Sequence, residues 1–230
     1  HGGSGTGPAQ RGVVVSAAAT VSSTNAGKVT INGTGGSGSS DNYGVDVVDA
    51  NSLVTTTGTG DLSITGVAGP GTGGNLIGVE IDTGADITAT GNAKISINGT
   101  SGVGSTDSYG VGFESSNVAG TTVSSVNGDI TVTGVSTDTT GQRNSGVRFE
   151  DSVGATAFLL NTTGAGNLNV TGTAGNNDPT SFGIQFAEDA LLTLSGTSNT
   201  FIADRIEIGA SNVGINAGAN AVSVRQLTNS

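Results

Sequence analysis

Lys28-Val-Thr-Ile-Asn-Gly33 returns as Asp61-Leu-Ser-Ile-Thr-Gly66, Lys94-Ile-Ser-Ile-Asn-Gly99, Asp129-Ile-Thr-Val-Thr-Gly134 and Asn167-Leu-Asn-Val-Thr-Gly172. The copies lie 33, 33, 35 and 38 residues apart, a spacing that marks a repeat architecture. A second run follows each copy: Gly44-Val-Asp-Val, Gly78-Val-Glu-Ile, Gly110-Val-Gly-Phe, Gly146-Val-Arg-Phe, Gly183-Ile-Gln-Phe and, more loosely, Gly214-Ile-Asn-Ala. A third completes the unit: Val54-Thr-Thr-Thr-Gly58, Ile87-Thr-Ala-Thr-Gly91, Val123-Ser-Ser-Val126, Leu160-Asn-Thr-Thr-Gly164 and Leu192-Thr-Leu-Ser-Gly196. Gly, Asn and Ser separate the runs, so each repeat carries three short strand signals with turns between them.

Side chains alternate faces along a strand, which decides which residues meet inside. In the first run Val29/Ile31, Leu62/Ile64, Ile95/Ile97, Ile130/Val132 and Leu168/Val170 share one face, with Thr, Ser and Asn on the other. In the second, Val45/Val47, Val79/Ile81, Val111/Phe113, Val147/Phe149 and Ile184/Phe186 do the same. Matching types at matching positions are what in-register stacking requires. The reading is an all-β, right-handed parallel β-helix of about six turns, each 31–38 residues long with three short strands; the hand follows from crossover chirality. Immunoglobulin-like sandwiches need about 100 residues per unit and lack this self-similarity. Gly35-Gly-Ser-Gly-Ser-Ser-Asp41 is a single partial echo of the shorter nonapeptide β-roll repeat. Residues 1–12 read as a Gly-rich lead or linker and 13–230 as one β-helix domain.

Composition fits this reading and removes others. The 230 residues include 41 glycines, more than twice the ~7% of ordinary proteins. A 33% hydrophobic content is too high for a disordered chain, and 3 prolines exclude collagen. With no Cys and one His, at position 1, there is no Cys/His zinc site, no Ser-His-Asp triad and no disulfide framework. A net charge of −11 argues against a nucleic-acid partner, and no run of 18 apolar residues offers a membrane-spanning helix. Low charge, no Cys and abundant Gly, Thr, Ser and Asn suggest an extracellular bacterial surface protein.

The variable part of each repeat falls at 34–43, 67–77, 100–109, 135–145 and 173–182, and insertions in solenoids gather on one face, often the binding face. Tyr43, Ile77, Tyr109 and Phe182 precede the returning glycine and are expected to anchor these loops. The last turn, from Thr200 to Leu227, lacks such a loop and stays apolar and periodic through Ile202, Ile206, Ile208, Val213, Ile215, Val222 and Val224. Solenoid ends are normally capped. The expectation is therefore further turns beyond Ser230, or another subunit stacked there.

Three columns carry the candidate sites. Lys28, Asp61, Lys94, Asp129 and Asn167 alternate in charge one turn apart and read as an outer register staple rather than a ligand site. Phe113, Phe149 and Phe186 fall on consecutive turns and should stack inside. The second run also carries Asp46, Glu80, Asp82, Glu114, Arg148, Glu150, Asp151, Glu188 and Asp189. These read chiefly as solvated acidic surface, since two like charges 5 Å apart in water cost only about 0.8 kcal/mol. Glu80, Asp82, Glu114 and Glu150 are the residues that would form a cation column, with Ca²⁺ as its ion. Carboxylates on neighbouring turns also approach the spacing of a retaining glycosidase pair, although the chain has no Trp and only 2 Tyr for sugar stacking. Thr55/Thr57 and Thr88/Thr90 suggest an ice-binding array, which Val123-Ser-Ser-Val126 and Leu192-Thr-Leu194 interrupt. Asn32, Asn98, Asn161 and Asn169 begin glycosylation sequons of the kind such Asn/Thr-rich faces generate by chance.

The recurring strand-Thr-Gly and Gly-Val-x-Phe units resemble those of large repetitive bacterial β-helical exoproteins, the filamentous-haemagglutinin-like and autotransporter-passenger class. The ending Ala203-Asp-Arg-Ile-Glu-Ile208, Val213-Gly-Ile-Asn-Ala-Gly218 and Val222-Ser-Val-Arg-Gln-Leu-Thr228 resembles their repeat units most. The resemblance implies a secreted, surface-anchored rod serving adhesion, biofilm or sheath formation. Taken with the composition, it leads to the expectation of a non-enzymatic structural and adhesive segment at the cell surface, without cofactor. Sister chains, glycans and host or neighbouring-cell surfaces are its expected partners. Two alternatives stand beside it: a subunit of an extracellular filament stacked end to end, and a glycan-active β-helix enzyme.

Overall fold

The computed structural model describes residues 2–115, 120–151, 158–187, 190–209 and 213–227. Its first turn is β1 (Val13–Val15), β2 (Thr20–Asn25) and β3 (Val29–Thr34); its second is β4 (Val45–Val47), β5 (Leu53–Gly58) and β6 (Leu62–Val67). The third is β7 (Val79–Ile81), β8 (Asp86–Gly91) and β9 (Ile95–Thr100), and the fourth β10 (Val111–Ser115), β11 (Thr122–Ser125) and β12 (Ile130–Val135). Then come β13 (Val147–Asp151), β14 (Leu159–Thr162) and β15 (Leu168–Thr173), followed by β16 (Ile184–Phe186), β17 (Leu191–Leu194) and β18 (Ser198–Ala203). The last turn is β19 (Ile206–Ile208), β20 (Gly214–Asn216) and β21 (Ala221–Gln226).

Every strand pairs in parallel with its equivalent one turn away, giving three seven-stranded sheets among the described residues. Sheet A runs β1-β4-β7-β10-β13-β16-β19 and collects the second runs; sheet B, from β2 to β20, collects the third runs; sheet C, from β3 to β21, collects the first. The chain is a three-sheet parallel β-solenoid, as the repeats require. Each sheet holds seven strands, and the last repeat is short: Ile184 pairs with Ile206 and Phe186 with Ile208, only 22 residues on. Gly214-Ile-Asn216, read as a second-run copy, therefore stands in sheet B beside Leu191-Leu-Thr193. Ile206–Ile208 takes the second-run place, since without an inserted loop the chain reaches sheet A sooner.

Alternation builds the interior. Val29, Leu62, Ile95, Ile130 and Leu168 form one buried column and Ile31, Ile64, Ile97, Val132 and Val170 another. Phe113 and Phe149 stack at 5.0 Å and 6°, and Phe149 and Phe186 at 4.8 Å and 8°. Phe158 tilts against the first two, and Phe201 meets Phe186 edge-on. Polar side chains also enter the interior columns, among them Thr56, Ser125 and Thr162 in sheet B and, in sheet C, Asn199, whose Oδ1 accepts the Leu168 N–H while its amide donates to the Gly196 and Ala221 carbonyls. Fully paired in this way, it is tolerated inside.

The inserted loops leave sheet C and return to sheet A at one corner. There Gly33, Gly66, Gly99, Gly134 and Gly172 each lie against the carbonyl of the glycine that opens the following run; a Cβ at Gly134 would sit 2.0 Å from the Gly146 oxygen. The loops stack in turn, with parallel bridges between Gly38 and Gly71 and between Thr106 and Gln142. Residues 2–12 follow the same path one turn earlier, through Ser39 N–H to Gly7 O and Gly36 N–H to Gln10 O. Asp138, fully buried, accepts bonds from Gly104 N–H, Ser108 Oγ and Thr140 and so ties two loops together. Among the described residues no helix is long and apolar enough to cross a membrane.

Candidate functional site

The outward side chains of sheet A concentrate the unusual chemistry. Register places Asp46, Glu80, Gly112, Arg148, Gln185 and Glu207 in one column. Glu114 pairs with Glu150 two residues along, and Asp82 holds the equivalent place one turn before Glu114. The sequence reading puts these carboxylates in solvent. Asp46 and Glu80 are instead buried, at 1% and 4% exposure, because the returning loops close over this face.

Aromatic anchors and arginines make that cover. Arg11 lies 5.0 Å over the Tyr43 ring and donates to Asp46 at 2.5 Å. Arg148 lies 5.0 Å over Tyr109, pairs with Glu150 at 2.7 Å and donates to the Tyr109 hydroxyl; that hydroxyl donates to Asp107 at 2.7 Å. Arg205 repeats the arrangement 4.7 Å over Phe182. Ile77 is a buried anchor of the same kind. The repeat pattern locates the anchors, but the arginines escape it because each occurs at a different place in its own turn.

Among the described residues Glu80 has no counterion. Gly112 on the next turn has no side chain, and the Glu80 carboxylate lies across it: a Cβ there would meet Glu80 Oε2 at 2.1 Å. That oxygen is buried with no hydrogen-bond partner, as is Asp82 Oδ1. Burial, then the charges of Glu114, Asp82 and Asp46, hold the Glu80 carboxyl well above its ordinary range. Asp46 is pushed up to about 6 by burial against the opposing pull of Arg11. Glu114 rises to about 7, first by desolvation and then by Asp82 and Glu150, and burial also raises Asp82.

Beside this cluster opens a polar cleft of about 260 Å³ lined by Tyr43, Asn75, Tyr109, Glu114, Arg148 and Glu150, among others. Glu114 is raised by burial, whereas Glu150 sits against the Arg148 guanidinium, so the two carboxyls occupy different surroundings. The cation column predicted for Glu80, Asp82, Glu114 and Glu150 does not assemble. Among the described residues no three acidic or histidine side chains come together in a way that would hold a metal ion. The four line a strip rather than surround a point, and Arg148 engages Glu150. Glu188 and Asp189 lie outside the described residues.

The outer column of sheet C is only partly ionic. Lys94 Nζ, exposed, stands 3.5 Å from Oδ2 of the half-buried Asp129, while Lys28 and Asp61 make no ion pair among the described residues. Its regular feature is a carboxylate or amide reaching one turn up: Asp61 accepts the Lys94 N–H, Asp129 the Asn167 N–H, and Asn167 Oδ1 the Ser198 N–H. These side-chain caps staple register without depending on charge. Thr55 and Thr88 also bond across turns, at 2.8 Å.

Comparison with protein-family models, curated proteins and solved structures finds no match for this chain.

Proposed function

We propose that the chain is a non-enzymatic structural and adhesive segment of an extracellular bacterial surface protein. Stacked turns supply reach, and the loops on one edge supply contact with glycans, cell surfaces or sister chains. The observation supporting this reading is the division of labour within each turn. What repeats is packing: aliphatic and aromatic columns inside, Thr, Ser and Asn ladders outside. What varies is the loop edge, which presents Ser37, Thr72, Ser105, Thr139 and Asn177 to solvent. Beads coated with the chain should be retained under flow on a cell layer or on immobilised glycans. Retention should fall for a Thr72→Ala, Ser105→Ala, Thr139→Ala triple variant with an unchanged circular dichroism spectrum. Retention no better than that of bare beads would contradict the proposal.

The cleft favours one second reading, a glycan-active enzyme. Glu114 would serve as proton donor and Glu150, held by Arg148, as the partner carboxyl, the split of roles that paired carboxylates use. Release of reducing ends from a polysaccharide panel, abolished by Glu114→Gln, would establish this reading; no release from any member would dismiss it.

A further inference from the structure

Positive charge in the cleft beside sheet A is already committed. Arg148 gives Nη1 to the Tyr109 hydroxyl, with Asp107 3.7 Å away, and Nη2 to Glu150 at 2.7 Å. Arg143 gives Nη2 to Asp107 at 2.6 Å. The two guanidiniums are therefore balanced by Asp107 and Glu150. Three acceptors on the cleft wall, on Glu114, Tyr43 and Asn75, are not matched in this way. The Glu114 carboxylate makes no hydrogen bond or ion pair among the described residues, and the Tyr43 hydroxyl makes none either. Asn75 donates Nδ2 to Asp41 and keeps its carbonyl oxygen open.

A buried carboxyl approaches the same cleft from beneath. Glu80, 4% exposed, has an oxygen without a hydrogen-bond partner. Its carboxyl lies in the outward place that Gly112 leaves vacant. That place is flanked by Glu114, two residues along β10, and by Arg148, its register partner on β13, and both of these line the cleft. The Glu80 charge also acts on the Tyr43 hydroxyl, a third cleft group. Asp82, one turn before Glu114, adds a second buried oxygen without a partner.

These features select the occupant. An anion would face Glu114 and Glu80 with both guanidiniums already balanced. Calcium needs ~6–8 oxygens around one point, and among the described residues no three acidic side chains converge in that way. A primary ammonium asks less of the geometry, since it carries one charge and three donors and is held by charge-assisted bonds to acceptors spread along a wall. At about 260 Å³ the cleft lies below the roughly 300–1,000 Å³ of pockets for drug-sized ligands, so it suits one small group. Burial and the neighbouring carboxylates hold the Glu80 carboxyl above its ordinary range, and a bound ammonium would offset them. We infer that the cleft binds a primary ammonium group, that of an amino sugar or of a lysine side chain, with Glu114 as its direct partner and Glu80 as the buried countercharge. The inference stands apart from the loop-edge contacts proposed above and requires no catalysis in the cleft.

Isothermal titration calorimetry of the full chain at pH 7 tests this with a glucosamine trimer and with the peptide acetyl-Gly-Lys-Gly-amide, each beside its N-acetylated twin. At least one free-amine probe should bind saturably at a single site, and its acetylated twin about tenfold more weakly or worse. The probe that binds identifies the source of the ammonium as sugar or lysine. Glu114→Gln and Glu80→Gln, with unchanged circular dichroism spectra, should each weaken that binding about tenfold, the scale of one hydrogen bond to a charged group. Asp129→Asn, on the outer column of sheet C, should leave it unchanged. No saturable binding of either free-amine probe at millimolar concentration overturns the inference, as does binding that survives both Gln substitutions. Equal binding of the acetylated trimer overturns it too, while leaving glycan contact standing. Bead retention is read separately, so the adhesive proposal does not fall with this one.

Discussion

Phe149 lies between two parallel rings, Phe113 and Phe186, with Phe158 tilted against it. Truncating it would open a cavity that rigid neighbouring sheets cannot fill, so Phe149→Ala should lower unfolding stability by about 3–5 kcal/mol in urea titration. Glu80 has the opposite character, a buried carboxyl under the influence of Asp82 two residues along, Asp46 from the preceding turn, Tyr43 from a loop, and Glu114 and Glu150 from the following turns. Glu80, Asp46, Asp82 and Glu114 are all raised above their ordinary values. Folding therefore takes up protons between the unfolded carboxyl range near 4 and the folded values of about 6 for Asp46 and about 7 for Glu114, with Glu80 and Asp82 raised as well. The sign is fixed: this contribution is fully present below pH ~4 and is lost as pH rises through the folded values. The melting temperature should fall from pH 5 to pH 8.5, and Glu80→Gln should raise it at pH 8.5 and flatten the slope. A flat profile, or an unchanged slope in the variant, would refute this. The Phe stack could be read from spacing because it follows the repeat. The burial of Glu80 could not, because it depends on loops whose paths are not periodic and on the missing side chain at Gly112.

Among the elements, the corner between sheets C and A is the most constrained. Gly134 has its Cα face against the Gly146 carbonyl, and Gly172 repeats this against Gly183 at 1.9 Å from a would-be Cβ. Gly134→Ala must push these backbones apart. It should destabilise by about 1–3 kcal/mol in the same titration, the range for overpacking, whereas Thr133→Ala on the outer face should change little. The Gly-Gly contact explains why loops of different length are tolerated: the chain is pinched before and after each excursion. Strand identity, order and facing were legible because the repeated runs alternate with period two. The last turn was misassigned because it has no excursion, so counting 31–38 residues per turn overshoots when Ile206 follows Ile184 by 22. The stacking of loops through Asp138 carried no periodic signal at all.

At the scale of the molecule, seven stacked strands per sheet at ~4.8 Å each give a body only about 34 Å long. On the proposed structural reading, reach comes from the stacked turns and contact from the loop edge between sheets C and A. Retention of chain-coated beads under flow on a cell layer or immobilised glycans is the most direct test of the account. Retention above that of bare beads, falling in the Thr72→Ala, Ser105→Ala, Thr139→Ala variant, is the predicted result. Retention no better than that of bare beads would contradict it.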